Sequence, residues 1–196
     1  MELVAVEGAK AKRIRPKRER ELYTLLRRCP ELFDKETQFR VLYVNEGPEK
    51  GPDFVAVNKR GHLLLGEVKR GGLPVAAWSQ AKAHAKRFAK MREAALNAEL
   101  AKAGVQELRR ELRGFLGSTE FNALLNPSRR KLQLVFVAEA FSDDVLRRTK
   151  RAALGSILRA KVTDVKCIEI HTYRVPARAT LAIASAVAGA HRRVRR

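Results

Sequence analysis

The chain has 196 residues, with 41 Lys and Arg against 21 Asp and Glu, a formal charge of +20 at pH 7 and a pI near 10.8. The length suffices for one domain with a substantial core, and a hydrophobic fraction of 45% excludes a disordered polyelectrolyte. A charge excess of this size repels itself in a compact state and points to a polyanionic partner: nucleic acid first, with ribosomal RNA or an anionic membrane surface as alternatives.

In chain order, Lys10 to Arg20 is dense in Lys and Arg around Pro16 and reads as a mobile arm or the lead-in to a helix. From Lys17 to Arg28, Leu22, Leu25 and Leu26 recur at helical spacing, and Pro30 suits a helix end just beyond. Thr37 to Asn45, with Phe39, Val41, Tyr43 and Val44, has strand composition. Glu46 to Pro52 is loop, Asp53 to Val57 a second strand, Asn58 to Gly61 a turn and His62 to Lys69 a third strand, after which Gly71 and Gly72 break the pattern.

Pro74 to about Gly104 is helical in composition, Val105 to Leu116 continues as another amphipathic helix, and Ser118 or Thr119 caps a short third one ending before Pro127. Lys131 to Ala138 is nearly all apolar, as expected of a strand buried on both faces. Ser142, Asp143 and Asp144 open a helix to about Ala160, and Val165 to Tyr173 is a fifth strand. After Pro176 come a small-residue apolar helix and a basic tail.

This order predicts an α/β domain, a mixed β-sheet flanked by helices, with a helical elaboration after the third strand. The expected organisation is a basic arm over 1–16, one domain over 17–175 with the elaboration at about 92–127, and the apolar helix and tail over 176–196. Cys29 and Cys167 offer no CxxC or zinc spacing and read as buried, reduced thiols. Met1 to Ala11 lacks a signal-peptide layout, and the apolar run Ala179 to Ala190 falls short of the ~20 residues that span a bilayer. A soluble, cytoplasmic protein with no membrane partner is the expectation.

One segment carries chemistry: Gly51-Pro-Asp53-Phe-Val-Ala-Val-Asn-Lys-Arg-Gly61-His-Leu-Leu-Leu-Gly-Glu67-Val-Lys69. A three-residue hairpin loop over Lys59, Arg60 and Gly61, with Gly61 left-handed, pairs Asn58 with His62. Stepping outward residue by residue then sets Asp53 opposite Glu67, their Cβ atoms about 5 Å apart, unless a bulge shifts the register. Lys69 lies two residues on and shares Glu67's face. Facing carboxylates repel unless a cation sits between them, and oxygen ligands with room for water suit Mg²⁺ or Mn²⁺. The Val68 carbonyl is a candidate further ligand.

Pro-Asp, a hairpin-length gap and Glu-x-Lys resemble the signature of the PD-(D/E)xK (restriction-endonuclease-like) nucleases, and the order of elements over roughly Arg18 to Tyr173 is similar to that family's core. The nearest style is that of NucS-type endonucleases and Holliday-junction resolvases. The resemblance implies a restriction-endonuclease-like fold that hydrolyses DNA phosphodiester bonds with Mg²⁺ or Mn²⁺, in repair, recombination or restriction, and leaves 5′-phosphate and 3′-hydroxyl ends. It implies Asp53 and Glu67 as metal ligands and Lys69 as the residue that positions water. It further implies a glutamate in the first helix, Glu21 with Glu19 as the alternative, and Gln80 early in the helix after the Glu-x-Lys strand. His84, one turn after Gln80, stands where many relatives have tyrosine and reads as a bland helix residue.

Lys12, Arg13, Arg15, Lys17, Arg70, Lys82, Arg192 and Arg193 are candidate phosphate contacts, which position nucleic acid without reading sequence. Arg109-Arg110, Arg129-Arg130-Lys131 and Arg147-Arg148 read as solvated basic faces. Trp78 and Phe88 are expected to pack on the sheet. Leu181, Ile183 and Val187 of the last helix offer a surface for a homodimer. The alternatives are a non-catalytic nucleic-acid-binding protein on the same fold and a basic RNA-binding protein.

Overall fold

The structure, a computed structural model, describes residues 12–14, 19–28, 38–45, 51–150, 161–174 and 180–189. Its elements are β1 (Lys12–Ile14), α1 (Glu19–Arg28), β2 (Phe39–Val44), β3 (Phe54–Asn58), β4 (Leu63–Leu73), α2 (Val75–Lys90), α3 (Glu93–Ala101), α4 (Leu108–Glu111), α5 (Ser118–Leu125), β5 (Leu132–Phe141), α6 (Asp143–Lys150), β6 (Val162–Arg174) and β7 (Thr180–Gly189). The strands form one seven-stranded sheet. β2, β3 and β4 make an antiparallel meander, β4, β5 and β6 run parallel, and β7 and β1 both pair antiparallel with β6. β7 takes one edge of β6, so β1 joins the edge β6 shares with β5, just past the point where that pairing stops at Glu169. The fold is α/β with a mixed sheet flanked by helices.

Alternation along the strands divides the sheet into two cores. On one face Val55, Val57, Leu63, Leu65, Leu134 and Phe136 pack under α2 to α6, where Trp78 stacks on Phe136 at 5.4 Å between ring centroids and Phe88 is fully buried. On the other, Phe54, Ala56, Leu64, Val68, Val135 and Val137 pack under Leu22, Tyr23 and Leu26 of α1. β5 is buried from Leu132 to Glu139, as its unbroken apolar run implies. Leu96, Leu100, Leu108, Leu112, Phe121 and Leu124 join the first core, so the segment after α2 is part of the same domain.

The hairpin between β3 and β4 has the register the loop dictates. Gly61 adopts φ 71°, its N–H bonds to the Asn58 carbonyl at 2.9 Å, and the Asn58 N–H bonds to the His62 carbonyl at 3.1 Å. The buried Asn58 side chain locks the loop, its Oδ1 accepting from the Arg60 and His62 N–H groups at 3.0 Å each. The ladder pairs Val57 with Leu63 and Phe54 with Gly66, leaving Asp53 and Glu67 as the next pair outward.

Several expectations are corrected. The last segment is strand β7 rather than a helix: Leu181, Ile183 and Val187 alternate with Ala182, Ala184, Ala186 and Ala188, and the free edge of β6 supplies a ladder that outweighs alanine's helix preference. The helical surface argued for a dimer is therefore absent. Gly71 and Gly72 do not end β4, which continues to Leu73 through a bulge: Lys69 pairs with Ala138 and Gly72 with Ala140, while Gly71, at φ 77°, donates its N–H to the Glu139 carboxylate at 2.8 Å.

Lys12 and Arg13 lie in β1 rather than in a loose arm, because β6 outruns β5 and leaves an edge to pair. Helix over Val105–Leu116 shrinks to the single turn of α4, with Gly104 at φ 88° and Gly114 at φ 70° on either side. Ser118 is the first residue of α5 and Gly117 occupies its cap, whereas the Ser142 hydroxyl does face the Val145 N–H at the start of α6, 3.4 Å away.

Arg130 is the largest departure. It is fully buried, not part of a solvated basic face. Its Nε donates to Leu124 O at 2.5 Å, Nη1 to Phe88 O at 2.6 Å and Met91 O at 2.8 Å, and Nη2 to Leu125 O at 2.9 Å. These carbonyls end α2 and α5, so one guanidinium satisfies acceptors left over at two helix C-termini, where the dipole favours a cation. Burial lowers its pKa to about 10, still cationic at neutral pH.

Candidate active site

Asp53, Glu67 and Lys69 meet where β3 begins, beside the middle of β4, whose Glu67 pairs with Phe136 in the middle of β5, on the face covered by α2. Parity places them there: Asp53 continues the row of Val55 and Val57, and Glu67 and Lys69 that of Leu63 and Leu65. Asp53 Oδ2 accepts the Val68 N–H at 2.7 Å and the Lys69 ammonium at 2.9 Å. The first bond substitutes a carboxylate oxygen for the backbone carbonyl that the ladder lacks once β3 has ended. It holds Asp53 in one orientation beside β4.

Glu67 is only 3% exposed. Burial raises its pKa from 4.5 to about 8, the Asp53 charge adds to the rise, and Lys69 offsets part of it. Its Oε1 has no hydrogen-bond partner. His84 Nε2 on α2 lies 3.4 Å from it, beyond the usual N–H···O range. Burial and Arg87 lower the His84 pKa below 6.5, against opposing pulls from Asp53 and Glu99. Burial thus disfavours the charged form of both partners in the metal-free site. Arg87 itself is held by Glu99 at 2.6 Å, and Glu99 also bonds Lys102 at 3.2 Å.

The other expected site residues are more dispersed. Gln80 is exposed on α2, four residues before His84, a rise of about 6 Å along the helix. Glu21 is exposed on α1, and Glu19 opens that helix; α1 covers the opposite face of the sheet from Glu67. Val68 points its side chain into the α1 core while its N–H holds Asp53. Arg70 is exposed at the bulge of β4 and Lys82 half-buried on α2. Arg15, Lys17, Arg192, Arg193 and Cys29 lie outside the described residues, whereas Cys167 is buried.

His84 is the residue whose place at the site sequence reasoning missed. The available signal was its position between Ala81 and Ala85, on the flank of the buried stripe of α2.

Among the described residues no three His, Cys, Asp or Glu side chains converge as a metal cage. The donor set nevertheless fits a Mg²⁺-type site, which needs one or two carboxylates and fills the remaining positions with water and phosphate oxygens. The buried acceptor of Glu67 is an oxygen such a cation would satisfy. No protein-family model, curated protein or solved structure matches the chain. No helix among the described residues is long and apolar enough to cross a membrane.

Proposed function

We propose that the chain is a metal-dependent deoxyribonuclease of restriction-endonuclease-like fold. The observation that carries this reading is the pair Asp53 and Glu67 on adjacent strands, with Lys69 bound to Asp53 and one buried Glu67 oxygen without a hydrogen bond. Asp53, Glu67 and the Val68 carbonyl would hold Mg²⁺ or Mn²⁺. When bound, that ion supplies Lewis acidity at a phosphodiester and a water made more acidic.

The protein's own groups do the rest. Asp53 is oriented by the Val68 N–H, so the carboxylate needs little reorganisation on binding. The Lys69 ammonium, half-buried beside it, orients the attacking water or stabilises charge developing on the phosphoryl oxygens. Gln80 and Glu21 enter this reading through the family resemblance alone: Gln80 is exposed on α2 and Glu21 on α1, across the sheet from Glu67. The charge of +20 supplies sequence-independent affinity for the DNA backbone.

A second reading, a non-catalytic nucleic-acid-binding protein on the same fold, draws on the charge of +20, which supplies affinity for a phosphate backbone without any bound ion. Thermal melting with and without Mg²⁺ or Mn²⁺, beside DNA binding over a salt series, separates the two. A rise in Tm with metal that Asp53→Ala abolishes supports the nuclease. Salt-dependent DNA binding with no metal response in either protein supports the binding module.

A further inference from the structure

We infer that His84 is itself a metal ligand, paired with Glu67, and that it biases this site towards Mn²⁺ over Mg²⁺. The inference rests on the metal-dependent reading above and concerns which ion the site takes. Its basis is the approach of His84 Nε2 to Glu67 Oε1 at 3.4 Å. That is too long for a good hydrogen bond, and Oε1 is buried with none. Two donor atoms each about 2.1 Å from one ion lie about 3.0 to 3.4 Å apart, for octahedral to tetrahedral angles. The observed 3.4 Å exceeds an octahedral edge of about 3.0 Å by a few tenths of an ångström, a closure that side-chain rotation on binding supplies.

The surroundings permit an ion there. His84 is 17% exposed, at the margin of the face that α2 buries, so the edge of the shell opens to solvent and to phosphate oxygens. The neighbouring cation Arg87 is engaged by Glu99 at 2.6 Å. Because no three His, Cys, Asp or Glu side chains converge among the described residues, Glu67 and His84 would be the direct side-chain ligands of this ion, Asp53 would hold it through a bound water, and water and phosphate would complete the shell. An imidazole nitrogen in that shell selects the ion. Mg²⁺ prefers an all-oxygen octahedron, whereas Mn²⁺ and the later divalent metals accept nitrogen.

The test uses the whole chain with Mn²⁺ as probe, bound at one equivalent and read by pulsed electron paramagnetic resonance for ¹⁴N modulation. Calorimetric titrations with Mn²⁺ and Mg²⁺ accompany it, on wild type, Glu67→Gln, His84→Gln and His84→Asn. The expected result is ¹⁴N modulation in wild type that is lost in the folded His84 variant, with Mn²⁺ affinity falling about 10-fold or more and Mg²⁺ affinity changing little. Mn²⁺ bound through Glu67 without ¹⁴N modulation in wild type would overturn the role of His84 and leave the metal site standing. This measurement needs no variant at His84 to fold. Absence of Mn²⁺ binding to wild type at millimolar concentration would remove both the inference and the metal-dependent reading.

Discussion

Replacing Glu67 by glutamine should stabilise the metal-free protein, by an amount that grows with pH. The carboxyl is buried at 3% exposure, and its pKa is raised from 4.5 to about 8. Between these values the native state keeps a proton that the unfolded chain has released. Stability therefore falls as pH rises from 4.5 towards 8 and levels off above it. A displacement from 4.5 to about 8, at about 1.4 kcal/mol per tenfold, corresponds to about 5 kcal/mol. Water entry and side-chain relaxation offset part of this, so about 2–5 kcal/mol is expected, a large share of a typical 5–15 kcal/mol of folding stability.

Glutamine keeps the shape and never ionises. Urea unfolding of wild type and Glu67→Gln at pH 5, 7 and 9 in the presence of chelator reads the effect. The midpoints should lie close together at pH 5 and separate at pH 7 and 9, with unchanged slopes. Mn²⁺ should close the gap by stabilising the wild type alone. A difference between the proteins that stays constant within about 0.5 kcal/mol from pH 5 to 9 would refute the claim that Glu67 is held protonated by burial.

Three further outcomes follow from the same contacts. Arg130→Met leaves four carbonyl oxygens at the ends of α2 and α5 without their donor, and guanidinium chloride unfolding should show a loss of about 3–5 kcal/mol. Gly66→Ala would put a methyl 1.8 Å from the buried Phe54 ring, next to Glu67; displacing that ring should cost about 1–3 kcal/mol, read in the same assay. Lys69→Met removes the charge that restrains Glu67, so carboxyl ¹³C chemical shifts should place the Glu67 midpoint above its wild-type value of about 8.

The hairpin and its carboxylates were legible in the sequence because their geometry is local. Asn58 and Gly61 fix the loop, the loop fixes the register, and the period of two carries that register to Asp53, Glu67 and Lys69. The role of His84 depends on how α2 is rotated on the sheet, which Trp78, Ala81, Ala85 and Phe88 decide by packing on distant strands. Arg130 is a cation by sequence and a core residue by tertiary structure, because α2 and α5 end beside each other. β7 carried both signals at once, a strand's alternation and a helix's alanine content, and the free edge of β6 decided between them. β1 is three residues long and exists only as a partner to the overhang of β6.

Cleavage chemistry tests the central claim most directly. The chain is incubated with end-labelled single-stranded, duplex and branched DNA in Mg²⁺, in Mn²⁺ and in chelator, beside Asp53→Ala. Metal-dependent cleavage that leaves 5′-phosphate and 3′-hydroxyl ends, and that Asp53→Ala lacks, is the predicted result. DNA that stays intact with wild type in both metals, while both proteins bind it equally, would contradict the nuclease assignment.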